Sequence, residues 1–361
     1  MDWSRFFKSN LSAVMAYQPG LREEQIRQIV ESDKIYKLSS NESPLPPFES
    51  ALKAIWGAVE TLNEYPEGSC YELVQLLSGH YGIPPEQIIV GNGSNELIDL
   101  IAMTCLGPGD NAVYCGPSFV VYRSSTQIAK AECRELPLLE DGAFDLDAML
   151  VAIDDRTKIV YVCTPNNPTG ATVDAASFKA FLDKLPDHVL VVVDAAYEEF
   201  IDDAQALRPL MYFDGQRPLV VLRTFSKAYA LAGLRCGYGF APAALVDMLH
   251  RVREPFNVNT LSQLAARACF EDTDELQKRL ALNATGRRRL LECFARLNLK
   301  ALPSQANFVW VEVPDAATTF DSLLRKGIIV RPFPGAKGLR VGIGDTEGVT
   351  ATISAFTDLF G

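Results

Sequence analysis

Histidine is scarce in this chain, and its scarcity limits the metal chemistry open to the protein. Only three histidines, His80, His188 and His250, occur among 361 residues. They are too dispersed for the His-Glu-x-x-His pattern of a zinc hydrolase, so each is interpreted as a surface or capping residue. We therefore expect no metal site.

Paired cysteines and long apolar runs are also missing. The eight cysteines are spaced singly, without a Cys-x-x-Cys pair, as expected of reduced, mostly buried thiols. No stretch approaches the roughly 18 consecutive apolar residues of a membrane span. The start, Met1 to Asn10, carries charges where a signal peptide has an apolar core. These features predict a cytoplasmic protein.

Positive charge is in deficit, because the formal net charge is −11 at pH 7. Nucleic-acid binding needs a basic surface, so nucleic acid is not expected as a partner.

The length of 361 residues and the 48% hydrophobic content fit one large domain with a smaller one.

Short apolar runs alternate with helical segments between about residues 85 and 240. Continuous runs rich in Val and Ile are typical of strands buried on both faces of a parallel sheet, and repeated strand–helix units predict an α/β fold. Helices are expected at 94–105, at 145–153 with Asp145 as N-cap, and at 175–185. The predicted buried strands are 88–90, 112–114, 133–136, 158–163, 189–193 and 219–222.

The pattern changes after residue 240. Residues 242–297 are almost entirely helical in pattern, and the cluster Arg287-Arg-Arg289 is interpreted as a solvated helix face. Strands at 308–313, 328–330 and 339–341, with helices around them, predict a small α+β domain. We expect an N-terminal arm (1–40) that packs on the small domain, a large domain (41–270) and a small C-terminal domain (271–361).

The loops after the predicted strands carry the candidate chemistry, because ligands of open α/β sheets bind at the carboxyl ends of strands. Gly91-Asn-Gly-Ser-Asn95 precedes a helix and suits a phosphate, although an ordinary tight turn is an equal alternative. Glu96 stands where a dinucleotide fingerprint needs glycine.

Three further loops follow the later strands. Thr164-Pro-Asn-Asn-Pro-Thr-Gly170 is typical of a rigid turn that presents an amide. Asp194 ends a fully apolar strand, and such a carboxylate favours a cationic partner. Lys227 closes Arg223-Thr-Phe-Ser-Lys, which Ala232-Gly-Leu-Arg235 follows.

In order, these loops resemble those of the fold-type-I pyridoxal-phosphate-dependent aminotransferases, in the subgroup that contains histidinol-phosphate aminotransferase. The resemblance extends from residue 17 to about 240 and, with a match near Arg340, over most of the chain. Ser43 and Ala195 depart from the family pattern, which usually has Asn and Glu there. The matching motifs are Tyr17-Gln-Pro-Gly20, Asn41-Glu-Ser-Pro44, Asn63-Glu-Tyr-Pro66, the Gly93 loop, Asn166-Asn-Pro-Thr-Gly170, Asp194-x-x-Tyr197 and Ser226-Lys-Ala-Tyr-Ala-Leu-Ala-Gly-Leu-Arg235.

The resemblance implies pyridoxal 5'-phosphate as cofactor and assigns a role to each loop. Lys227 would form the Schiff base and shuttle the proton. Asp194 would hold the pyridine nitrogen protonated, and Tyr197 and Asn167 would bind the phenolic oxygen of the ring. Phe119 would stack on the ring, with ordinary core packing as an equal alternative. The expected phosphate-side contacts are Gly93, Ser94, Asn95, Thr224, Ser226 and Arg235.

The resemblance also implies a substrate site and a second subunit. Arg340 would grip a substrate carboxylate and, with Arg331, the phosphate of L-histidinol phosphate, although Arg331 could instead form a surface salt bridge. Tyr17 and Asn41 would line the substrate site. Tyr65 would reach the cofactor of a neighbouring subunit, so a homodimer with shared active sites is expected.

The expected reaction converts L-histidinol phosphate and 2-oxoglutarate to imidazole-acetol phosphate and L-glutamate, a step of histidine biosynthesis. An aromatic amino-acid aminotransferase shares nearly every motif and remains an alternative. A threonine-phosphate decarboxylase ranks third because its lysine loop differs. A cofactor-binding regulatory domain would need a DNA-binding module, for which this acidic chain has no room before Tyr17.

Overall fold

The structure, a computed structural model, describes residues 3–16, 23–333 and 335–361. Its strands are β1 Tyr36–Lys37, β2 Ile88–Gly91, β3 Asn111–Gly116, β4 Glu132–Pro137, β5 Thr157–Cys163, β6 Leu190–Asp194, β7 Leu219–Thr224, β8 Gly237–Phe240, β9 Phe308–Glu312, β10 Ile328–Ile329, β11 Arg331–Pro332 and β12 Gly338–Gly342. Its α-helices are α1 Glu23–Arg27, α2 Glu49–Ala58, α3 Tyr71–Tyr81, α4 Ser94–Cys105, α5 Val120–Ile128, α6 Leu146–Ala152, α7 Ala175–Lys184, α8 Ala243–Val252, α9 Thr260–Glu271, α10 Thr273–Arg296, α11 Ala316–Arg325 and α12 Thr346–Phe360.

The centre of the molecule is a seven-stranded sheet in the order β2-β8-β7-β6-β5-β3-β4. Its neighbouring strands run parallel except at β8, which is antiparallel to both β2 and β7. The helices that connect successive strands pack against the sheet and bury its apolar side chains in one large core. The predicted α/β class with a mostly parallel sheet is confirmed.

The predicted strands and helices of the sheet region are confirmed to within two or three residues at their ends. β5, β6 and β7 are buried along nearly their whole length, as their continuous Val and Ile runs indicated. Asp145 caps α6 as predicted, since its carboxylate accepts a hydrogen bond from the backbone N–H of Ala148 at 2.9 Å.

The prediction for β4 is wrong in one respect. The strand exists, but it lies at the edge of the sheet and its residues are exposed or half-buried. An edge strand has a neighbour on one side only, and its charged residues Glu132, Arg134 and Glu135 remain accessible. Three of its six residues are charged, unlike the continuous apolar runs of the central strands, and that composition was the available signal of its exposure.

The C-terminal part builds a second, smaller core. β11, β12 and β9 form an antiparallel sheet in that order, and α10, α11 and α12 contribute apolar residues to the core beside it. β1 pairs in parallel with β10, so residues 36 and 37 belong to this part of the molecule. The boundaries at residues 40 and 270 stay predictions.

Arg287 corrects the interpretation of the arginine cluster as a solvated helix face. Its side chain is buried and donates to the carbonyl oxygen of Phe200 at 3.1 Å and to the carboxylate of Asp202 at 2.6 Å. Arg288 and Arg289 do lie on the outer side of α10. Because three consecutive helical residues point about 100° apart, a run of three arginines must place one of them near the inner face.

The eight cysteines form no disulfide, and six of them are buried, as the sequence predicted. Within the described parts of the chain, no helix has the length and apolar character needed to cross a membrane.

Candidate active site

The polar loops predicted to carry chemistry meet at the carboxyl ends of the strands of the central sheet. The strands β5, β6 and β7 are adjacent and parallel, so their carboxyl ends lie side by side. β6 delivers Asp194 there, and β7 delivers Thr224, with Lys227 just beyond it. The sheet order therefore explains how loops distant in sequence form one site.

A cradle of backbone and guanidinium groups lies at the start of α4. Gly93 is the N-cap residue with φ 82°, and a side chain there would lie 2.6 Å from the guanidinium of Arg235. A Cβ on Gly237 would lie 2.3 Å from the backbone nitrogen of Ser94. Glycine at both positions lets Arg235 and the first N–H groups of α4 approach each other closely. Free N–H groups and a cation at a helix N-terminus suit a phosphate.

Two hydroxyls from the end of β7 belong to the same region. The hydroxyl oxygens of Thr224 and Ser226 lie 3.0 Å apart, and both side chains are buried. Thr224 also accepts the backbone N–H of Ser226 at 3.1 Å, which fixes the turn that leads to Lys227.

Asn95 lies in the first turn of α4, and its side chain is engaged within the helix. Its amide donates to the carboxylate of Asp99 at 3.0 Å. The first turn of a helix leaves backbone N–H groups unpaired, so the predicted contact of Asn95 would use its backbone.

Asp194 is buried at the end of β6. Among the described residues, the side chain that donates a hydrogen bond to its carboxylate is the uncharged Tyr122, not a cation. The hydroxyl of Tyr122 donates to one carboxylate oxygen at 2.7 Å, and the backbone N–H of Ala196 donates to the other at 3.2 Å. Burial raises the pKa of Asp194, and these two hydrogen bonds oppose the rise, as does the charge of Lys227. The carboxylate is thus poised for a cationic group.

Lys227 is held between backbone carbonyls at the centre of the site. Its Nζ lies 3.3 Å from the carbonyl oxygen of Asn41 and 3.4 Å from that of Ser40. Burial lowers the pKa of Lys227 to about 8. The positive charges of Arg340 and Arg235 also lower it, against Glu42 and Asp194. An amine with this pKa is partly neutral near pH 8, as a nucleophile or base requires.

Tyr197 and Asn41 form the side of the site next to Lys227. The Asn41 amide donates to the Tyr197 hydroxyl at 3.0 Å, and both residues are buried. Nζ of Lys227 lies 5.7 Å from the centre of the Tyr197 ring. Burial raises the pKa of Tyr197, so its phenol keeps its proton at neutral pH.

Arg340 joins the C-terminal sheet to the loop after β5. Its guanidinium donates to the Asn167 side-chain oxygen and to the Ser39 carbonyl oxygen. The same guanidinium lies 5.4 Å from the ring centre of Phe308 and 5.7 Å from that of Phe333. Because Asn167 accepts from Arg340 with its oxygen, its NH₂ group is directed elsewhere and can donate.

Arg331 lies directly opposite Arg340 in the sheet. The two residues are register partners in the antiparallel pair β11–β12, so their side chains leave the same face with Cβ atoms about 5 Å apart. Within the described residues Arg331 forms no ion pair, in contrast to the surface salt bridge considered from the sequence.

Two predicted residues lie further out. Phe119, the N-cap residue of α5, is half-buried, with its ring centre 5.8 Å from that of Tyr122. Tyr65 is 83% exposed and stacks on Phe256 at 4.8 Å, away from Lys227 of its own chain. Tyr17 and its motif lie outside the described residues.

Sequence reasoning missed two residues of the site. Tyr122 stands three residues after Phe119, on the same face of α5, and that spacing could have placed it near the sheet end. Asn307 directly precedes the apolar strand β9 and donates its amide to the Asn41 carbonyl at 3.1 Å. A polar side chain at the start of a buried strand was the available signal.

Comparison with known proteins identifies the family. The sequence pattern of aminotransferase class I and II matches residues 33–356. The chain belongs to this family. It is a pyridoxal-phosphate-dependent aminotransferase, as the ordered loops indicated.

Individual relatives of this aminotransferase agree in sequence and in fold. A histidinol-phosphate aminotransferase of Bacillus pumilus is 41% identical over 358 residues, covering 98% of each chain. The crystal structure of histidinol-phosphate aminotransferase from Sinorhizobium meliloti in complex with pyridoxal-5'-phosphate superposes with a TM-score of 0.89 at 26% identity, covering 98% of this chain and 97% of that one. Thermus thermophilus aspartate aminotransferase, at 22% identity over 98% of this chain and 99% of that one and a TM-score of 0.85, shares the fold.

The residues of this aminotransferase fit the cofactor. A phosphate suits the cradle of Gly93, Ser94 and Arg235, where a single Cβ would collide with the guanidinium. The buried carboxylate of Asp194 suits a protonated ring nitrogen, and Lys227 supplies an amine with a lowered pKa.

Proposed function

We propose that this enzyme transfers the amino group of L-histidinol phosphate to 2-oxoglutarate. The observation that carries the proposal is the opposed pair Arg331 and Arg340 on β11 and β12. Like charges directly opposite each other destabilise a sheet. A phosphate monoester, close to a dianion at neutral pH, offsets this repulsion better than a monoanionic carboxylate does. The relatives named histidinol-phosphate aminotransferase, about 40% identical, support the same substrate.

The cofactor site assigns one task to each of the residues at the sheet edge. Gly93, Ser94, Thr224, Ser226 and Arg235 would hold the phosphate by backbone N–H groups, hydroxyls and one guanidinium. Bound there, pyridoxal 5'-phosphate supplies a ring that withdraws electrons from the carbon that loses its proton.

Lys227 and its neighbours would handle the proton. Lys227 would supply the amine that holds the cofactor and, when free, would remove and return the proton as a base whose pKa burial lowers to about 8. Asp194 would keep the ring nitrogen protonated, because a buried carboxylate gains most from a cationic partner. Tyr197 and the Asn167 amide would donate to the phenolic oxygen of the ring. Borohydride reduction followed by peptide mapping should place the fixed cofactor on Lys227, and an adduct on another lysine contradicts the assignment.

The substrate assignment predicts different effects for the two arginines. Arg340→Ala should lower kcat/KM for every amine, because Arg340 also orders Asn167. Arg331→Ala should lower kcat/KM for L-histidinol phosphate by about 10²-fold and for phenylalanine or tyrosine by less than about threefold, since it removes one charge-assisted contact with the phosphate. The measurement is kcat/KM for these amines in the wild type and both variants.

Two outcomes would reject parts of this proposal. If phenylalanine is a better amine than L-histidinol phosphate for the wild type, the enzyme is an aromatic aminotransferase. If Arg331→Ala lowers kcat/KM equally for all amines, Arg331 supports the sheet and does not select the phosphate.

We also infer a homodimer in which Tyr65 reaches the site of the second subunit. Tyr65 is exposed and stacked on Phe256, which is itself half-exposed. Trp56 and Leu62 expose further apolar surface on the same stretch of chain. Sedimentation at micromolar concentration should give the mass of two chains, and a monomer with full activity contradicts the inference.

A further inference from the structure

Two donors converge on one backbone carbonyl beside the reactive lysine. The Asn41 carbonyl oxygen lies 3.3 Å from Nζ of Lys227 and 3.1 Å from Nδ2 of Asn307. Asn307 is 3% exposed. Asn307 therefore contacts Lys227 indirectly, through the Asn41 carbonyl that both side chains share.

The Asn41 carbonyl is held in an unusual backbone conformation. Asn41 has φ 55°, in the left-handed region, and is 2% exposed. Asn adopts this conformation more readily than most residues that carry a side chain, and the conformation persists where the surroundings fix it. Hydrogen bonds fix Asn41 through both its side chain and its backbone. The side-chain amide donates to Tyr197, and the backbone carbonyl accepts from Asn307.

Asn307 is itself fixed by the C-terminal part of the molecule. Its carbonyl oxygen accepts the backbone N–H of Ile343 at 2.8 Å. The carbonyl of the preceding residue, Ala306, accepts from Asn283 at 3.3 Å and from Arg287 at 3.5 Å, both on α10. The amide of Asn307 therefore has little freedom to follow a moving Asn41.

The chemistry at Lys227 explains why a carbonyl suits this place. Charged groups already act on Nζ from several elements: Arg340 on β12, Arg235 after β7, Glu42 beside Asn41, and Asp194 on β6. A carbonyl accepts an N–H from the ammonium and from the neutral amine alike, and it does not titrate. It can therefore orient the amine in both protonation states, although it binds the charged ammonium more strongly.

We propose that Asn307 is a positioning residue that anchors the Asn41 carbonyl as the resting acceptor for the Lys227 amine whenever the amine is not bonded to the cofactor. This inference rests on the proposed role of Lys227. Without the anchor, Asn41 relaxes from its left-handed conformation and the released amine loses its fixed starting point for proton transfer.

Two substitutions of Asn307 by residues of similar size test the proposal, because they should shift the pKa of Lys227 in opposite directions. Asn307→Leu removes the donor that anchors the Asn41 carbonyl. When the carbonyl then moves away from Nζ, as the proposal requires, the ammonium loses an acceptor and the pKa of Lys227 falls. A carbonyl that stayed in place would bind the ammonium more strongly without the competing donor, so the pKa would rise, and that result contradicts the anchor. Asn307→Asp puts a carboxylate beside the amine, so the pKa of Lys227 rises. Trace acetylation of the full-length, cofactor-free chain is measured over a range of pH, normalised to the exposed Lys53 and read by mass spectrometry. The midpoint of its pH dependence gives the pKa of Lys227 separately from its accessibility to the reagent. At pH 7 we expect Lys227 to react about two- to fivefold faster in Asn307→Leu and about tenfold slower in Asn307→Asp.

Kinetics on the holoenzyme give an independent readout. We expect kcat of Asn307→Leu to fall about tenfold, as for one lost positioning hydrogen bond. The KM for the amine should change less than kcat, because the charged contacts proposed for Arg331 and Arg340 are retained while Asn41, which lines the substrate site, is displaced. Asn111→Leu is the matched control. It removes another fully buried amide, which donates to Asp154 at 2.9 Å at the opposite end of β3, and it should leave Lys227 reactivity and kcat unchanged.

The outcomes separate this inference from the proposed function. Wild-type Lys227 reactivity and kcat in Asn307→Leu would overturn the positioning role, even when borohydride fixes the cofactor to Lys227. A general loss of structure also contradicts it, and it is recognised by a pKa of Lys227 that moves up toward the value near 10.4 of an unfolded lysine. Reduction that maps the cofactor to another lysine rejects the proposed function instead.

Discussion

At the scale of single residues, the charge of Asp194 depends on Tyr122. Burial alone would favour the neutral carboxylic acid, which could not hold a protonated ring nitrogen. The Tyr122 hydroxyl donates to the carboxylate and acts against burial. Tyr122 is fully buried and stacks on Tyr161 with ring centres 4.9 Å apart, so its hydroxyl has a fixed direction.

Tyr122→Phe should move the pH profile of the enzyme. The folded-state pKa of Asp194 is already raised, and loss of the hydrogen bond raises it further. If the charged form is the active one, activity is present above this pKa and is lost as the pH falls through it. The acidic limb of kcat/KM should therefore shift upward by about 0.5–1 pH unit.

The control for this shift is Tyr161→Phe, which removes a neighbouring buried hydroxyl that does not contact Asp194. Its acidic limb should coincide with that of the wild type. Equal shifts in both variants would show that packing of the ring pair, not the hydrogen bond to Asp194, sets the profile.

The sequence revealed individual site residues where a motif singled them out. Asp194, Lys227 and Arg235 each follow a strand in a recognisable loop, and the structure brings them to one edge. Tyr122 and Asn307 stand in no such loop, and their roles depend on which residues of distant segments face them. That information arises only when α5 packs over the end of β6 and the segment before β9 meets Asn41.

At the scale of elements, the antiparallel strand β8 brings Gly237 against the start of α4. The close approach of Gly237 to Ser94 leaves no space for a side chain. Gly237→Ala should push the first turn of α4 away from Arg235. We expect the dissociation constant for pyridoxal 5'-phosphate, measured by fluorescence titration, to rise about tenfold or more, since overpacking costs about 1–3 kcal/mol.

Gly79→Ala in α3 provides the comparison, because a Cβ there has nothing within 4 Å. It should bind the cofactor normally and be slightly more stable, as expected for alanine in a helix. Wild-type cofactor affinity in Gly237→Ala would mean that α4 can shift without loss of the cradle.

Element prediction from the sequence succeeded where local pattern decides the structure. The Val- and Ile-rich runs of β5, β6 and β7 predicted their burial, and Asp145 predicted the start of α6. The exposure of β4 and the two-residue strand β11 depend on their places in their sheets. β11 is too short to produce a periodic pattern, although Arg331 within it was selected through the family resemblance.

At the scale of the whole molecule, α10 connects the two cores through buried polar contacts. Arg287 donates to carbonyl oxygens of Phe200 and Ala306 and to Asp202. Arg287→Ala removes the donor to the Phe200 carbonyl, and an unsatisfied buried carbonyl costs about 1–3 kcal/mol, whereas the Ala306 carbonyl keeps its hydrogen bond from Asn283. The packing of the buried Arg287 side chain is lost as well. We expect the free energy of unfolding, from urea titration, to fall by about 2–4 kcal/mol.

Arg288→Ala is the neighbouring control. Arg288 is largely exposed and lies 3.9 Å from Glu292, so its removal should change the free energy of unfolding by less than about 0.5 kcal/mol. Equal losses in both variants would show that the arginines act through the helix itself and not through contacts between the cores.

The parallel pair β1–β10 has a consequence for how the protein is made. All seven strands of the central sheet lie between Ile88 and Phe240, so that sheet can form while the ribosome is still translating the rest of the chain. β1 leaves the ribosome long before them, yet its partner β10 comes near the end of the message. Its backbone stays unpaired until then, and a nascent chain stalled before Ile328 should offer the region around Tyr36 to proteases and chaperones while its central sheet is already protected.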